Sequence, residues 1–293
     1  MPELPEVEVV RAGLAPAATG ARVDAIQVRD ERSLRRHPGP VEDFVDRLTG
    51  AVLGAPERHG KYLWIPLSEP AETPVALVIH LGMSGQVLLR TPGSPVDRLA
   101  RVVLEATHPE AGSLRIDFVD QRIFGSMALD DLVPAADAPE QHVPARVAHI
   151  ARDPMDPLFD DRRFLTALLR KDTTVKRALL DQTLVSGIGN IYADEALWAS
   201  RIHYDQPTDA LSRPRAVRLL AEVRSVLAKA LAEGGTSFDT QYLNVNGESG
   251  YFAHSLNAYG QQDRPCPRCG RPIIREQFMN RGSHFCPHCQ RVR

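Results

Sequence analysis

All four cysteines of this 293-residue chain lie in one run near its end, Cys266-Pro267-Arg268-Cys269 and Cys286-Pro287-His288-Cys289, with sixteen residues between the pairs. That spacing is the spacing of a structural zinc site, in which two thiolate pairs at the feet of a hairpin close a tetrahedron around the metal. The chain is therefore expected to end in a small metal-stapled hairpin, with Cys266, Cys269, Cys286 and Cys289 as ligands and one structural zinc as cofactor. His284 and His288 stand close by, but four thiolates already complete the coordination. The competing use of four cysteines is a pair of disulfides in an exported domain, which needs a signal segment. Glu3, Glu6 and Glu8 occupy the place where such a segment has positive charge and then an apolar run. No stretch approaches the roughly 18 apolar residues of a membrane span. A reducing, cytoplasmic setting without a membrane partner is expected.

Whole-chain charge does not mark a nucleic-acid partner, because 35 Lys plus Arg against 37 Asp plus Glu leaves −2. Its distribution does. From residue 264 to 293 seven arginines stand against Glu276 alone, a balance of +6. A basic zinc hairpin is an electrostatic footprint for phosphates, although basic tails also occur simply as solvated surface.

The other end of the chain, Met1-Pro2-Glu3-Leu4-Pro5-Glu6, puts an imino acid and two carboxylates where termini usually fray. With Met1 removed, Pro2 is a free secondary amine. An α-amino group titrates near 7.7–8.0, so a large fraction is nucleophilic at neutral pH and can attack an aldehyde-like carbon to give a cationic iminium. Glu3 sits beside that nucleophile. The plainer reading is a helix start, since proline suits the first turn and carboxylates suit the positive end of the helix dipole.

Length favours two main domains, and 43% hydrophobic residues suffice for two cores. A helix is predicted over 5–18, stopped by Gly20. Short β-type segments follow at 23–28, 61–67, 75–81, 86–89, 102–105 and 114–119, separated by turn-rich pieces such as 90–95, as in a β-sandwich. A stretch rich in Pro, Ala and Asp over 133–144 reads as a linker. From 162 the pattern turns helical and runs to Gly234-Gly235. No internal repeat or low-complexity tract interrupts it. The predicted domains are 1–133, a linker 134–158, 159–260 and 261–293, an α+β, multi-domain chain.

Residues 184–195 form a glycine turn opening a helix. Gly187 and Gly189 permit close backbone approach, Asn190 suits the N-cap, and the exposed N–H groups of a helix start attract anions. With Lys176 upstream, a phosphate clamp is one reading, and an ordinary interhelical turn is the other.

Together these segments resemble the bacterial formamidopyrimidine-DNA glycosylases over essentially the whole chain. The resemblance is carried by Pro2-Glu3-Leu4-Pro5-Glu6-Val7-Glu8, Gly60-Lys61-Tyr62-Leu63, His80-Leu81-Gly82-Met83-Ser84-Gly85, Asp120-Gln121-Arg122-Ile123-Phe124-Gly125, the Ser186 to Glu195 turn, Gly250-Tyr251-Phe252 and the cysteine pairs. It implies an N-terminal helix on a β-sandwich, a helix-two-turn-helix domain and a C-terminal zinc-finger β-hairpin, with double-stranded damaged DNA held between domains by a monomer in the bacterial cytoplasm and nucleoid. It implies excision of oxidised purines, 8-oxoguanine and formamidopyrimidines, followed by β,δ-elimination at the abasic site. Pro2 would be the nucleophile, Glu3 the acid/base at the sugar, and Lys61 and Arg281 the residues of proton donation or phosphate positioning. Met83, Arg122 and Phe124 match the trio that fills the space left by the extruded nucleotide, which fits the need to unstack a base before chemistry on it. Lys176 and Asn190 would hold phosphates, Glu6 and Tyr251 would line the lesion pocket, and the loop 245–251 would cover the flipped base.

Two departures bear on DNA affinity. Where the family usually has a phosphate-contacting histidine, this chain reads Arg98-Leu99-Ala100-Arg101, so that either arginine is open to make that contact, Arg101 being counted among the DNA-binding residues. The lead into the zinc site reads Tyr259-Gly260-Gln261-Gln262-Asp263, losing a cation and a glycine. Two rivals share the motifs: an endonuclease VIII-like enzyme for oxidised pyrimidines, and a non-catalytic DNA-damage binder. Leu4, the Arg122-x-Phe124 pair and the long 245–251 segment favour the purine enzyme, and the presence of Pro2, Glu3 and Lys61 disfavours the binder.

Overall fold

A computed structural model describes residues 2–68, 74–236, 245 and 255–293. The chain divides into two compact units, 1–149 with 234–250, and 150–233 with 251–293.

The first unit opens with α1 (Leu4–Ala18), capped by Glu3. The Glu3 N–H donates to Glu6 Oε2 at 2.8 Å, satisfying one of the amides that a helix start leaves without a partner. Val7, Val10, Leu14 and Ala18 recur at helical spacing and are fully buried. Among the described residues ten strands follow: β1 (Arg22–Val28), β2 (Val52–Leu53), β3 (Glu57–His59), β4 (Tyr62–Ser68), β5 (Val75–His80), β6 (Gly85–Arg90), β7 (Ala100–His108), β8 (Gly112–Asp120), β9 (Ser126–Ala135) and β10 (Ala138–Pro144). They pair in the order β10-β9-β5-β4-β2-β1-β7-β8-β6, with β3 on β4. Val87 and Phe118, near one end of this path, share a core with Ile79 and Met127, near the other, and with Val7, Val10 and Leu14 of α1. The sheet therefore folds over on itself, as the expected β-sandwich does, and each large side chain buried there contributes about 1.5–3 kcal/mol.

The stretch read as a linker over 133–144 is instead structured as β9 and β10, paired with Val133 opposite Val143 and Leu132 opposite Pro144. Its prolines are as compatible with strand ends and an edge as with a linker. β10 is an edge strand, and an edge tolerates residues that cannot donate to the ladder. A short helix, α2 (Val41–Leu48), which no sequence signal marked, adds Phe44 and Leu48 to the core.

The second unit contains α3 (Asp161–Arg170), α4 (Val175–Leu180), α5 (Asn190–Ser200) and α6 (Arg213–Ala232), then the hairpin of β11 (Ile274–Phe278) and β12 (Arg281–Phe285). Asp160 caps α3 by accepting from Arg163 N at 2.9 Å. Gly189, rather than the expected Asn190, is the N-cap of α5, and Asn190 is its first helical residue. The preceding glycine turn is braced by Gln182, whose Oε1 accepts from Gly187 N at 3.1 Å while Nε2 donates to Ile188 O at 3.0 Å. No helix among the described residues is long and apolar enough to cross a membrane.

Candidate active site

Pro2 and Glu3 are both buried at the start of α1. Glu6 holds them there. One carboxylate oxygen takes the Glu3 amide, and the other accepts from Thr236 N at 2.8 Å and Thr236 Oγ1 at 2.9 Å. The expected pocket residue Glu6 is thus a strut that joins the helix start to the end of the 234–236 turn. The location also has electrostatic consequences. The positive end of a helix dipole disfavours an ammonium there and favours a carboxylate.

Lys61 lies on the turn between β3 and β4, and α1 reaches that turn through an ion pair. Arg58 Nε donates to Glu8 Oε2 at 2.9 Å, and Arg58 Nη1 donates to Gly60 O at 3.0 Å. Burial alone would raise the Glu8 carboxyl, but the Arg11 and Arg58 guanidiniums outweigh it and hold Glu8 below the usual carboxylate range. The helix that follows Pro2 and Glu3 and the turn bearing Lys61 are thereby joined. Arg58 carries no motif, and Glu8, although it ends the Pro2–Glu8 run, reads in sequence only as a helix acid, so neither was legible as a site residue.

Met83 stands on the β5–β6 turn, with Arg122 and Phe124 on the turn after β8. Met83 and Phe124 are each 40% exposed, high for side chains of their size. The Arg122 guanidinium lies over the Phe124 ring at 4.6 Å. His80 closes the first of these turns, its Nδ1 accepting from Gly82 N at 3.2 Å. Burial, and then the positive charges of Arg36, Lys61 and Arg35, push the His80 imidazole down to about 4. It is neutral at physiological pH. Arg101, expected on DNA, is turned inward: Nε donates to Asp120 O at 2.7 Å and Nη1 lies 3.6 Å from Asp30 Oδ2. Its head is engaged in holding the Asp120 backbone.

In the second unit the cysteines converge. The Sγ atoms of Cys266, Cys269, Cys286 and Cys289 all lie within 4.8 Å of one another, with Cys269 and Cys286 at 3.5 Å. A tetrahedron with Zn–S bonds of about 2.3 Å needs sulfurs roughly 3.8 Å apart, so the donor set fits zinc. Trp198 Nε1 donates to Cys266 Sγ at 3.4 Å, an outer bond that orients the ligand. His284 is held by Asp194 through its amide at 2.8 Å, away from any ligand role, and His288 Nδ1 lies 2.8 Å from Arg271 Nη1.

Lys176, expected at a phosphate, is completely buried. Its Nζ meets Asp194 Oδ1 at 2.6 Å, Ser283 Oγ at 2.8 Å and Gly282 O at 3.3 Å. Asn190 Nδ2 donates to the same Gly282 carbonyl at 3.0 Å. Both residues therefore grip β12 immediately after Arg281, which opens that strand opposite Phe278. Glu195, on α5, accepts from the amides of Asn257, Ala258 and Tyr259 at 2.8 to 3.1 Å and fastens the segment leading to the zinc site. Tyr251 lies outside the described residues.

Comparison with known proteins agrees with this geometry. Family models match at residues 1–127 (formamidopyrimidine-DNA glycosylase N-terminal domain), 150–242 (formamidopyrimidine-DNA glycosylase H2TH domain) and 264–292 (zinc finger found in FPG and IleRS). A formamidopyrimidine-DNA glycosylase of Leifsonia xyli subsp. xyli is 61% identical, each chain covered in full. One of Streptomyces avermitilis is 53% identical, covering 100% of this chain and 98% of the relative. Among solved structures, the Lactococcus lactis Fpg in complex with an abasic-site-containing DNA superposes with a TM-score of 0.82 at 29% identity, covering 99% of both chains. The Fpg protein of Thermus thermophilus gives 0.80 at 33% identity, covering 99% of this chain and 98% of the other.

Proposed function

This chain belongs to the formamidopyrimidine-DNA glycosylase family, and from that premise we propose how its residues divide the work of excising an oxidised purine and nicking the strand. The enzyme is a DNA-repair glycosylase of oxidised purines with lyase activity, binds damaged DNA and carries one structural zinc on Cys266, Cys269, Cys286 and Cys289. In the proposed division, Pro2, freed by loss of Met1, attacks C1′ of the lesion nucleotide as the glycosidic bond breaks and the base departs with that electron pair and a proton. The sugar ring then opens at the C1′–O4′ bond, O4′ taking a proton, and the iminium so formed at C1′ draws electrons from the sugar. Loss of the C2′ proton then expels the 3′ phosphate, and a second elimination releases the sugar remnant. Glu3 exchanges protons with the sugar. Lys61 and Arg281 serve proton donation and phosphate positioning, and Asn190 contacts a phosphate beside the lesion. Met83, Arg122 and Phe124 enter the space left by the flipped nucleotide, the guanidinium satisfying the orphaned partner base. Lys176 and Arg101 support these groups from within rather than touching DNA.

The observation that carries this reading is the buried Pro2-Glu3 pair at the positive end of α1, tied down by Glu6. Borohydride trapping on duplexes containing 8-oxoguanine or thymine glycol tests it. A trapped adduct on the first duplex, mapped to residue 2, is expected. Preference for the second duplex would point to oxidised pyrimidines, and an adduct mapped to an internal lysine would remove Pro2 from its role. We further propose a monomer acting on nucleoid DNA in the cytoplasm, for which a single species of about 32 kDa in solution is the check.

A further inference from the structure

The turn that displays Arg122 and Phe124 is gripped on both of its hydrogen-bonding sides. On one side the fully buried Asp120 carboxylate accepts from the amides of Arg122 at 3.1 Å, Ile123 at 3.0 Å and Gly125 at 2.7 Å. The same carboxylate accepts from Ser84 Oγ at 2.5 Å, and Ser84 is the neighbour of Met83. On the other side the Arg35 guanidinium donates to the carbonyls of Ile123 at 3.2 Å, Phe124 at 2.6 Å and Gly125 at 2.7 Å. One acid and one base, far apart in sequence, thus engage three amides and three carbonyls of a four-residue turn.

The turn needs this restraint. Ile123 sits at φ +55°, in the left-handed region that a β-branched residue resists. The two turns also interlock: Gly82, at φ +62°, lies so close that a Cβ there would meet the Phe124 carbonyl carbon and oxygen at 2.4 Å. Left to itself such a turn would relax. It is held nonetheless with Met83 and Phe124 displayed to solvent, where burial of the side chains cannot be what fixes it.

We propose that Asp120 and Arg35 are positioning residues that set Met83, Arg122 and Phe124 in their stack-filling arrangement before DNA arrives. The ordering entropy of the wedge is then lost on folding rather than when a paired lesion is extruded. The inference rests on the proposed wedge role of those three residues, and the test separates the two.

Each variant is assayed for kcat/KM on an 8-oxoguanine duplex and for cleavage of a single-stranded abasic oligonucleotide, which has no partner base and no stack to fill. Arg35→Ala should lose at least about ten-fold on the duplex, the factor equivalent to about 1.4 kcal/mol of transition-state stabilisation, and stay within about two-fold on the single strand. Unstacking, read by 2-aminopurine beside the lesion, should slow in parallel. Arg35→Lys should not rescue, because an ammonium lacks the planar fork that reaches several carbonyls at once. Asp120→Asn should repeat the pattern, since its amide turns a donor toward backbone N–H groups. If that buried variant fails to fold, exposed Arg35 decides. Normal duplex activity in Arg35→Ala overturns the clamp. So does equal loss on both substrates, which would mark general support of the fold, and so does rescue by lysine, which would mark a direct phosphate contact. Phe124→Ala is the control: normal duplex activity there sinks the wedge reading itself, whereas a loss in Phe124→Ala without one in Arg35→Ala sinks the clamp alone.

Discussion

Lys176→Ala should unsettle the zinc-hairpin unit without changing how many phosphates the protein neutralises. The Lys176 ammonium and the Asp194 carboxylate meet at 2.6 Å, with side chains 0% and 1% exposed. Removing the cation leaves a buried carboxylate whose remaining donors are Ser283 Oγ at 3.2 Å, His284 N at 2.8 Å and the His284 ring at 3.3 Å. Breaking one partner of a buried pair costs about 3–5 kcal/mol, and the three remaining donors favour the lower end of that range. Loss of the lysine stem beside the Phe278 ring, 5.1 Å from Nζ, adds to it. For a unit of this size a fall in Tm of roughly 10 °C or more follows. A cycle of Lys176→Met, Asp194→Asn and the double variant, followed by calorimetry, should give a coupling of about 2 kcal/mol or more. In parallel, the slope of log binding constant against log salt should stay within error of the parent. A phosphate contact is worth about 0.9 in that slope, and a side chain with no exposure supplies none. An unchanged Tm together with a slope reduced by about one would refute this account and return Lys176 to the DNA.

Cys269→Ser should lose zinc and DNA binding while the first unit stays folded, because a closed four-thiolate site acts by holding the hairpin; Arg281→Ala should keep zinc and Tm but weaken binding and strand cleavage, and metal content paired with activity separates the two. Pro2→Gly should bind DNA normally yet trap covalently more slowly, since a primary amine forms an imine less well oriented for elimination. His80 gives a pH test. Its folded pKa is depressed from about 6.5 to about 4, so its contribution is fully present above pH 6.5 and is lost as pH falls toward 4, by at most ~3 kcal/mol; His80→Gln should flatten that part of the stability profile in chemical denaturation.

Features of this chain that depend on local chemistry or fixed spacing are readable in one dimension. Four cysteines in two pairs define a tetrahedron whatever surrounds them, and their sulfurs do converge. A Pro-Glu start followed by apolar residues at helical spacing makes a capped helix, and α1 begins at Leu4. The β-type segments near 23–28, 75–81 and 114–119 became β1, β5 and β8 within two residues at each end, because short runs rich in Val, Ile and Leu bounded by turn residues favour strands of a buried sheet. Where composition alone was used, over 133–144, the reading failed: proline content is compatible with a linker and with an edge strand, and only the neighbouring β9 decides between them.

Charged side chains show the limit most clearly. In sequence Lys176 and Arg101 are two cations expected on DNA, and Arg35 is a cation with no motif beside it. Folding buries the first against Asp194 and Ser283, turns the second onto the Asp120 carbonyl, and lays the third across the carbonyls of residues 123–125, some 90 positions away. A charge in water and a charge out of water differ by several kcal/mol, so its task is set by which partners reach it in space. Residue type and spacing carry the reaction and the metal; long-range packing assigns each cation to the DNA or to the frame that presents it.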